Sequence, residues 1–86
     1  MLKVAPTTIS TMMDSLHYHI HHFSGTTTTV AIAVLPNGFT VGIGKSGCLD
    51  PDAFDATVGE RVAIDNARKA AENSLWELEG YRIKPQ

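Results

Sequence analysis

Cys48 is the only cysteine in the chain, which excludes an intrachain disulfide and a zinc site built on thiolates. Positive charge is scarce as well. Seven Lys and Arg against nine Asp and Glu leave a net charge of −2, with a pI near 6.0. A binder of duplex DNA or RNA needs a basic footprint against the phosphates, so no duplex nucleic acid is expected as a partner. Long apolar runs are missing too. The longest, Val30 to Leu35, falls far short of the roughly 20 residues of a membrane-spanning helix, so no membrane partner is expected. The stretch after Lys3 does not read as the h-region of a signal peptide, and the expected compartment is the cytoplasm.

What remains is an ordinary globular composition, 43% hydrophobic and 19% charged over 86 residues. That is one domain, residues 1–86, with no linker or internal repeat. A chain of this size buries only about 60–65% of its unfolded surface, which makes a lone protomer marginal and a homo-oligomer the expected state.

Ile9, Met12, Met13 and Leu16 recur at helical spacing after Pro6, so a short amphipathic helix is expected, capped by Thr7 or Thr8. From His17 to Phe23 the pattern alternates: His17, His19 and His21 point one way, Tyr18, Ile20 and His22 the other, as on a strand. Val30 to Leu35 reads as a central strand buried on both faces. Pro36-Asn37-Gly38 is a turn, and Phe39 to Gly44 pairs back as the third strand of a meander. Gly42, Gly44 and Gly47 toward its end imply a bulge or a close approach to bare backbone. A loop follows, from Lys45 to Pro51. A long helix is then expected from Asp52 or Asp55 to Leu78, its apolar stripe being Phe54, Val58, Val62, Ala67, Ala70, Ala71, Leu75 and Leu78. Gly80 reads as its stop. The fold class is α+β in the order α-β-β-β-α: an antiparallel meander covered by a short N-terminal and a long C-terminal helix.

Four constellations could carry chemistry. Three imidazoles on one strand face, His17, His19 and His21, can in principle seat a borderline metal. No carboxylate or thiol joins them, and their span is about 13 Å, so a solvated strand face is preferred and no metal is expected. Cys48 lacks an orienting partner and reads as a small buried residue rather than a nucleophile. Gly42-x-Gly44-x-x-Gly47 has the dinucleotide-binding spelling without the βαβ context, although a Gly-rich loop beside an acidic helix start could let a ligand approach the backbone. Arg61, Asp65, Arg68 and Glu72 form one helical stripe. Arg61–Asp65 and Arg68–Glu72 surface pairs are its plain reading, and two guanidinium forks for an anionic ligand its functional one. Of the aromatics, Phe39 is best placed to stack on a base.

Three blocks are more specific: Asn37-Gly38-Phe39-Thr40-Val41, the run from Cys48 to Asp55 with its Cys-x-x-Pro-x-x-Phe-Asp spacing, and Trp76-Glu77-Leu78-Glu79-Gly80-Tyr81. Through them the chain resembles the gene-49/gene-66-like proteins of tailed phages, from about Thr7 to Lys84. In pattern that family is similar to the phage sponges of Thoeris defence, which sequester cyclic ADP-ribose signals without cleaving them. The resemblance implies a non-enzymatic anti-defence protein, free of cofactors, acting in the cytoplasm of the infected bacterium. Its partners would be a small nucleotide messenger, cyclic ADP-ribose or a cyclic oligonucleotide of the CBASS type, and further copies of itself. It further implies Phe39 and Asp50 as base and ribose contacts, and Arg61 or Arg68 as the ligand-holding arginine. A module that inhibits a host protein is the first alternative, a histidine-metal enzyme the second.

Overall fold

A computed structural model describes residues 3–85. Helix α1 (Pro6–Asp14) leads into strands β1 (His17–His22), β2 (Thr29–Val34) and β3 (Thr40–Ser46), a short 3-10 turn (Pro51–Ala53) and helix α2 (Ala56–Arg82). The strands form an antiparallel meander in the order β1-β2-β3. The α-β-β-β-α order expected from periodicity is therefore the one found.

Both helices lie on one side of the sheet. The helix side shows Tyr18, Ile20 and His22 from β1, Thr29, Ala31 and Ala33 from β2, and Gly42, Gly44 and Ser46 from β3. The opposite side shows His17, His19 and His21, Val30, Ile32 and Val34, and Ile43 and Lys45. Burial along β2 alternates accordingly, Thr29, Ala31 and Ala33 buried and Val30, Ile32 and Val34 only half-buried. The expectation that β2 is buried on both faces is thus corrected: no helix covers its valine and isoleucine side.

Helix α2 crosses β3 at close range, and the glycines explain how. A Cβ on Gly44 would run into the backbone of Ala63, Asn66 and Ala67, and one on Gly42 would meet the Ala71 nitrogen at 2.6 Å and the Ala71 Cβ at 2.9 Å. The helix answers with its smallest side chains. Ala63, Ala67 and Ala71 are fully buried, with Leu75 beyond them, whereas Val58, Val62 and Leu78 are exposed. The expected apolar stripe is therefore displaced from Val58 and Val62 onto Ala63, because bare strand backbone leaves room only for alanine. Ile9, Met13, Leu16, Ala31, Ala33 and Val41 complete the core. Of the two alternatives at the β3 glycines it is the close approach that is found; the register shift between Ala33 and Val34 puts a bulge at the start of the strand instead, with Val41 buried at it.

The ends of the elements follow local chemistry. Gly38 takes φ +90 in the hairpin turn, where Asn37 Oδ1 accepts the Phe39 N–H at 3.0 Å. Helix α1 begins on Ala5 without a side-chain cap, and Pro6 occupies its first turn. Thr7 and Thr8 are thus inside the helix rather than capping it, since proline is preorganised for that position. Helix α2 starts on Asp55, whose Oδ1 accepts from Thr57 N at 2.9 Å and Val58 N at 3.3 Å. Asp55→Ala should cost about 1 kcal/mol, read as a lower melting temperature. Gly80 does not stop α2; it is helical, and the helix runs on to Arg82. There Arg82 pairs with Glu79 at 3.0 Å, and hydrogen bonding to Glu79 holds the guanidinium above its ordinary pKa. Tyr81 and Arg82 are accordingly helical.

Among the described residues one buried side-chain polar atom lacks a partner: Thr29 Oγ1, in a residue 1% exposed. Replacing the hydroxyl by a methyl removes an unmade hydrogen bond at nearly constant shape. Thr29→Val should stabilise the fold by about 1 kcal/mol; a lower denaturation midpoint would instead reveal a partner for the hydroxyl.

The protomer is more extended than its mass requires. Its radius of gyration is 15.5 Å, against about 12 Å for a compact chain of this length. Its accessible surface is 6132 Å², roughly 1,100 Å² above that of a typical monomer of 9.3 kDa. The cause is α2, which at 1.5 Å per residue outruns strands of six or seven residues.

Candidate functional site

The loop between β3 and α2 is held by hydrogen bonds within it and to the segments beside it. Thr27 Oγ1 donates to the Cys48 carbonyl at 2.7 Å and accepts the Cys48 N–H at 3.3 Å. Cys48 Sγ donates to the Asp50 carbonyl at 3.0 Å. Asp50 Oδ1 accepts the Asp52 N–H at 3.0 Å and starts the 3-10 turn. The turn carries the chain to Phe54, which stacks on His22 at 5.1 Å between centroids. Asp55 then opens α2, and Ser46 Oγ ties the end of β3 to the Gly59 carbonyl at 2.6 Å.

These connections enclose a cleft of about 480 Å³ between the end of β3, the loop and the first two turns of α2. Its volume falls in the usual range for a small-molecule site, about 300–1,000 Å³. Val58, Val62, Ala53 and Phe54 give it apolar walls, Thr27 and Ser46 bring hydroxyls, and Gly47 and Gly59 present bare backbone. Asp55 is its one carboxylate, engaged in capping α2; Lys45 borders it on β3, at a position that faces the opposite side of the sheet. Its walls suit a flat, partly apolar molecule.

The sequence-derived site residues do not share this cleft. Phe39 is 55% exposed and lines a groove with Thr40, Val41, Ser74, Glu77 and Leu78 at the far end of α2. Arg68 lines two shallow grooves between α1 and α2, one with Met13 and Glu72, the other adding Pro6, Ile9 and Trp76. Arg61 is exposed on α2 within one turn of Val58 and Val62. Asp50 is exposed in the loop, one of its oxygens committed to the turn. Because α2 runs antiparallel to β3, Phe39 and Arg61 of one chain stand about 20–25 Å apart along the helix. Neither Arg61–Asp65 nor Arg68–Glu72 forms; the one ion pair among the described residues is Arg82–Glu79.

Lys45, Phe54, Val58 and Val62 were not singled out as ligand contacts from sequence. The available signal was the glycine-rich run ahead of an acidic helix start, and it was only partly right. Gly47 lines the cleft, whereas Gly42 and Gly44 seat the helix. The histidine strand places His17, His19 and His21 on the uncovered side of the sheet. Among the described residues no group of three or more His, Cys, Asp or Glu is arranged to hold a metal ion, and no helix is long and apolar enough to cross a membrane.

The chain matches a family model over residues 4–86 and belongs to the phage protein (N4 Gp49/phage Sf6 gene 66) family. No curated protein and no solved structure matches it.

Proposed function

We propose that this phage protein binds and sequesters a small nucleotide-type immune signal of the infected bacterium, a cyclic ADP-ribose or cyclic oligonucleotide, without cleaving it. The cleft at the start of α2 carries the reading. It joins apolar walls suited to a base to the bare backbone of Gly47 and Gly59, and its one carboxylate, Asp55, is occupied as a helix cap. Arg61, one turn from Val58, is the better placed of the two arginines to add a guanidinium fork at the mouth. Sequestration needs no base, nucleophile or metal. It needs retention, and a ligand that binds only the folded state stabilises it by about 4 kcal/mol at a thousandfold excess over Kd.

The protein also self-associates in this reading, and its surplus surface supports that. About 1,100 Å² beyond a compact monomer compares with roughly 800 Å² contributed by each partner to a standard interface.

Native mass spectrometry of the purified protein with ADP-ribose isomers and cyclic dinucleotides and trinucleotides tests the proposal. One ligand of the panel should stay bound in stoichiometric amount. Retention of none would overturn the reading and leave inhibition of a host protein in its place.

A further inference from the structure

Beneath the cleft lies the hydroxyl that has no partner among the described residues, Thr29 Oγ1. Gly59 separates it from the cleft. No side chain rises from Gly59, and the atoms nearest to where one would begin are Thr29 Oγ1 at 3.2 Å, Ser46 Oγ at 3.4 Å and Phe54 Cε1 at 3.5 Å. Gly59, Ser46 and Phe54 all line the cleft. The glycine thus leaves a methyl-sized gap in the floor, with two hydroxyls and a ring edge around it. Thr29 and Ser46 stand opposite each other on β2 and β3, which fixes both oxygens on the helix side of the sheet. Gly59 sits inside α2 without a positive φ, so what glycine supplies here is space and not backbone freedom.

We infer that this gap is where the cleft reads its ligand: the amino group of an adenine enters over Gly59 and donates to Thr29 Oγ1 and Ser46 Oγ. The inference rests on the sequestering function proposed above and deepens it, by naming the base that the cleft takes. Hydrogen-bond roles decide between an amino group and a carbonyl. The Ser46 proton is committed to the Gly59 carbonyl at 2.6 Å, so that oxygen can only accept. Thr29 Oγ1 can accept as well. An amino group brings two hydrogens to these two oxygens. A carbonyl oxygen would take a hydrogen bond from Thr29 but stand against the lone pairs of Ser46. Adenine is the common base whose only exocyclic group is an amino group, so no carbonyl on it needs a partner from the apolar walls.

The empty protein bears the cost of this arrangement. A buried hydroxyl without a partner destabilises the fold, which is why Thr29→Val is expected to raise stability. A group that weakens the empty protein and gains its partner only in the complex serves binding rather than folding. The hydroxyl is closed to solvent in the empty cleft, so a neighbour has to give way as the ligand enters. Phe54 is placed to do so. Its ring is half-buried, lies outside the core and is held by stacking on the exposed His22.

Calorimetric titration with two pairs of probes tests this: ADP-ribose beside its hypoxanthine counterpart IDP-ribose, and cyclic di-AMP beside cyclic di-IMP. Within a pair the amino group of the base is replaced by an oxo group. The wild type should bind the adenine member of at least one pair about tenfold or more tighter, the worth of a hydrogen bond made in one complex and lost in the other. Thr29→Val should erase that preference while raising the melting temperature of the empty protein. Gly59→Ala, which puts a methyl in the gap on a helix that favours alanine, should erase it too. A substitution that merely damaged the structure would weaken both members of a pair and leave their ratio unchanged. Equal wild-type affinities within a pair that binds, or a preference that survives in Thr29→Val, would overturn the inference and leave sequestration standing. Failure of all four probes would also overturn it, and the native mass spectrometry panel then decides separately whether sequestration falls with it.

Discussion

Gly44→Val is expected to destabilise the protein severely, although valine is the better strand residue by propensity. The added carbons would have to occupy the space held by the backbone of Ala63, Asn66 and Ala67, and helix backbone cannot step aside as a side chain can. Overpacking of a well-filled site costs about 1–3 kcal/mol and occasionally more; here the obstacle is backbone, so about 3 kcal/mol or more is expected. A domain of this length has only about 4–13 kcal/mol in all. Gly80→Ala provides the contrast. Nothing lies within 4 Å of its Cβ position and it is inside α2, so alanine there should stabilise by about 0.5–1 kcal/mol. Urea melts of the two variants should move in opposite directions. Equal, small shifts would mean that α2 does not ride on β3 as described.

Val62→Glu is expected to abolish ligand binding while leaving the fold intact. Val62 is 39% exposed and forms part of the cleft wall, so a carboxylate there can be hydrated in the empty protein. A bound nucleotide would lose an apolar contact for its base and gain a repulsion against its phosphate. Arg61→Ala removes attraction without adding repulsion and should weaken binding about ten- to a hundredfold, the worth of one charge-assisted contact. Arg68→Ala and Phe39→Ala lie in other grooves and should leave affinity unchanged. Calorimetric titration against the ligand retained in native mass spectrometry separates the cases. Loss of binding in Phe39→Ala together with full binding in Val62→Glu would move the site to the far end of α2.

Much of this fold is legible in the amino-acid order because local signals and tertiary structure agree. The 3.6-residue recurrence of Ile9, Met12, Met13 and Leu16, the turn at Pro36-Asn37-Gly38 and the alternation in His17 to His22 each specify an element that is found. The failures share a cause: they depend on which partner is across the interface. Hydrophobicity ranks Val58 and Val62 above Ala63 for burial, but Gly42 and Gly44 on β3 let the helix come so near that only alanine fits. β2 has the composition of a doubly covered strand, but both helices fall on one side, which no periodicity within β2 records. Gly80 looks like a helix stop, yet α2 continues to its Arg82–Glu79 contact.

The candidate site was less legible still. Side-chain chemistry and resemblance together pointed to Phe39, Arg61 and Arg68, and resemblance alone to Asp50; they fall at separate places on the protomer. The cleft is made by residues of modest individual signal, among them Lys45, Phe54, Val58 and Val62. They meet because Ser46 is bonded to Gly59 and Phe54 is stacked on His22, contacts that sequence spacing does not show.

Capture and release tests the central claim most directly. The protein is incubated with the ligand it retains, separated from free ligand by gel filtration, and heat-denatured, and the liberated small molecule is identified by chromatography and mass spectrometry. The account predicts that the ligand returns unchanged and stoichiometric from the wild type, and that Val62→Glu returns none. A hydrolysed or otherwise altered product released by the wild type would contradict it.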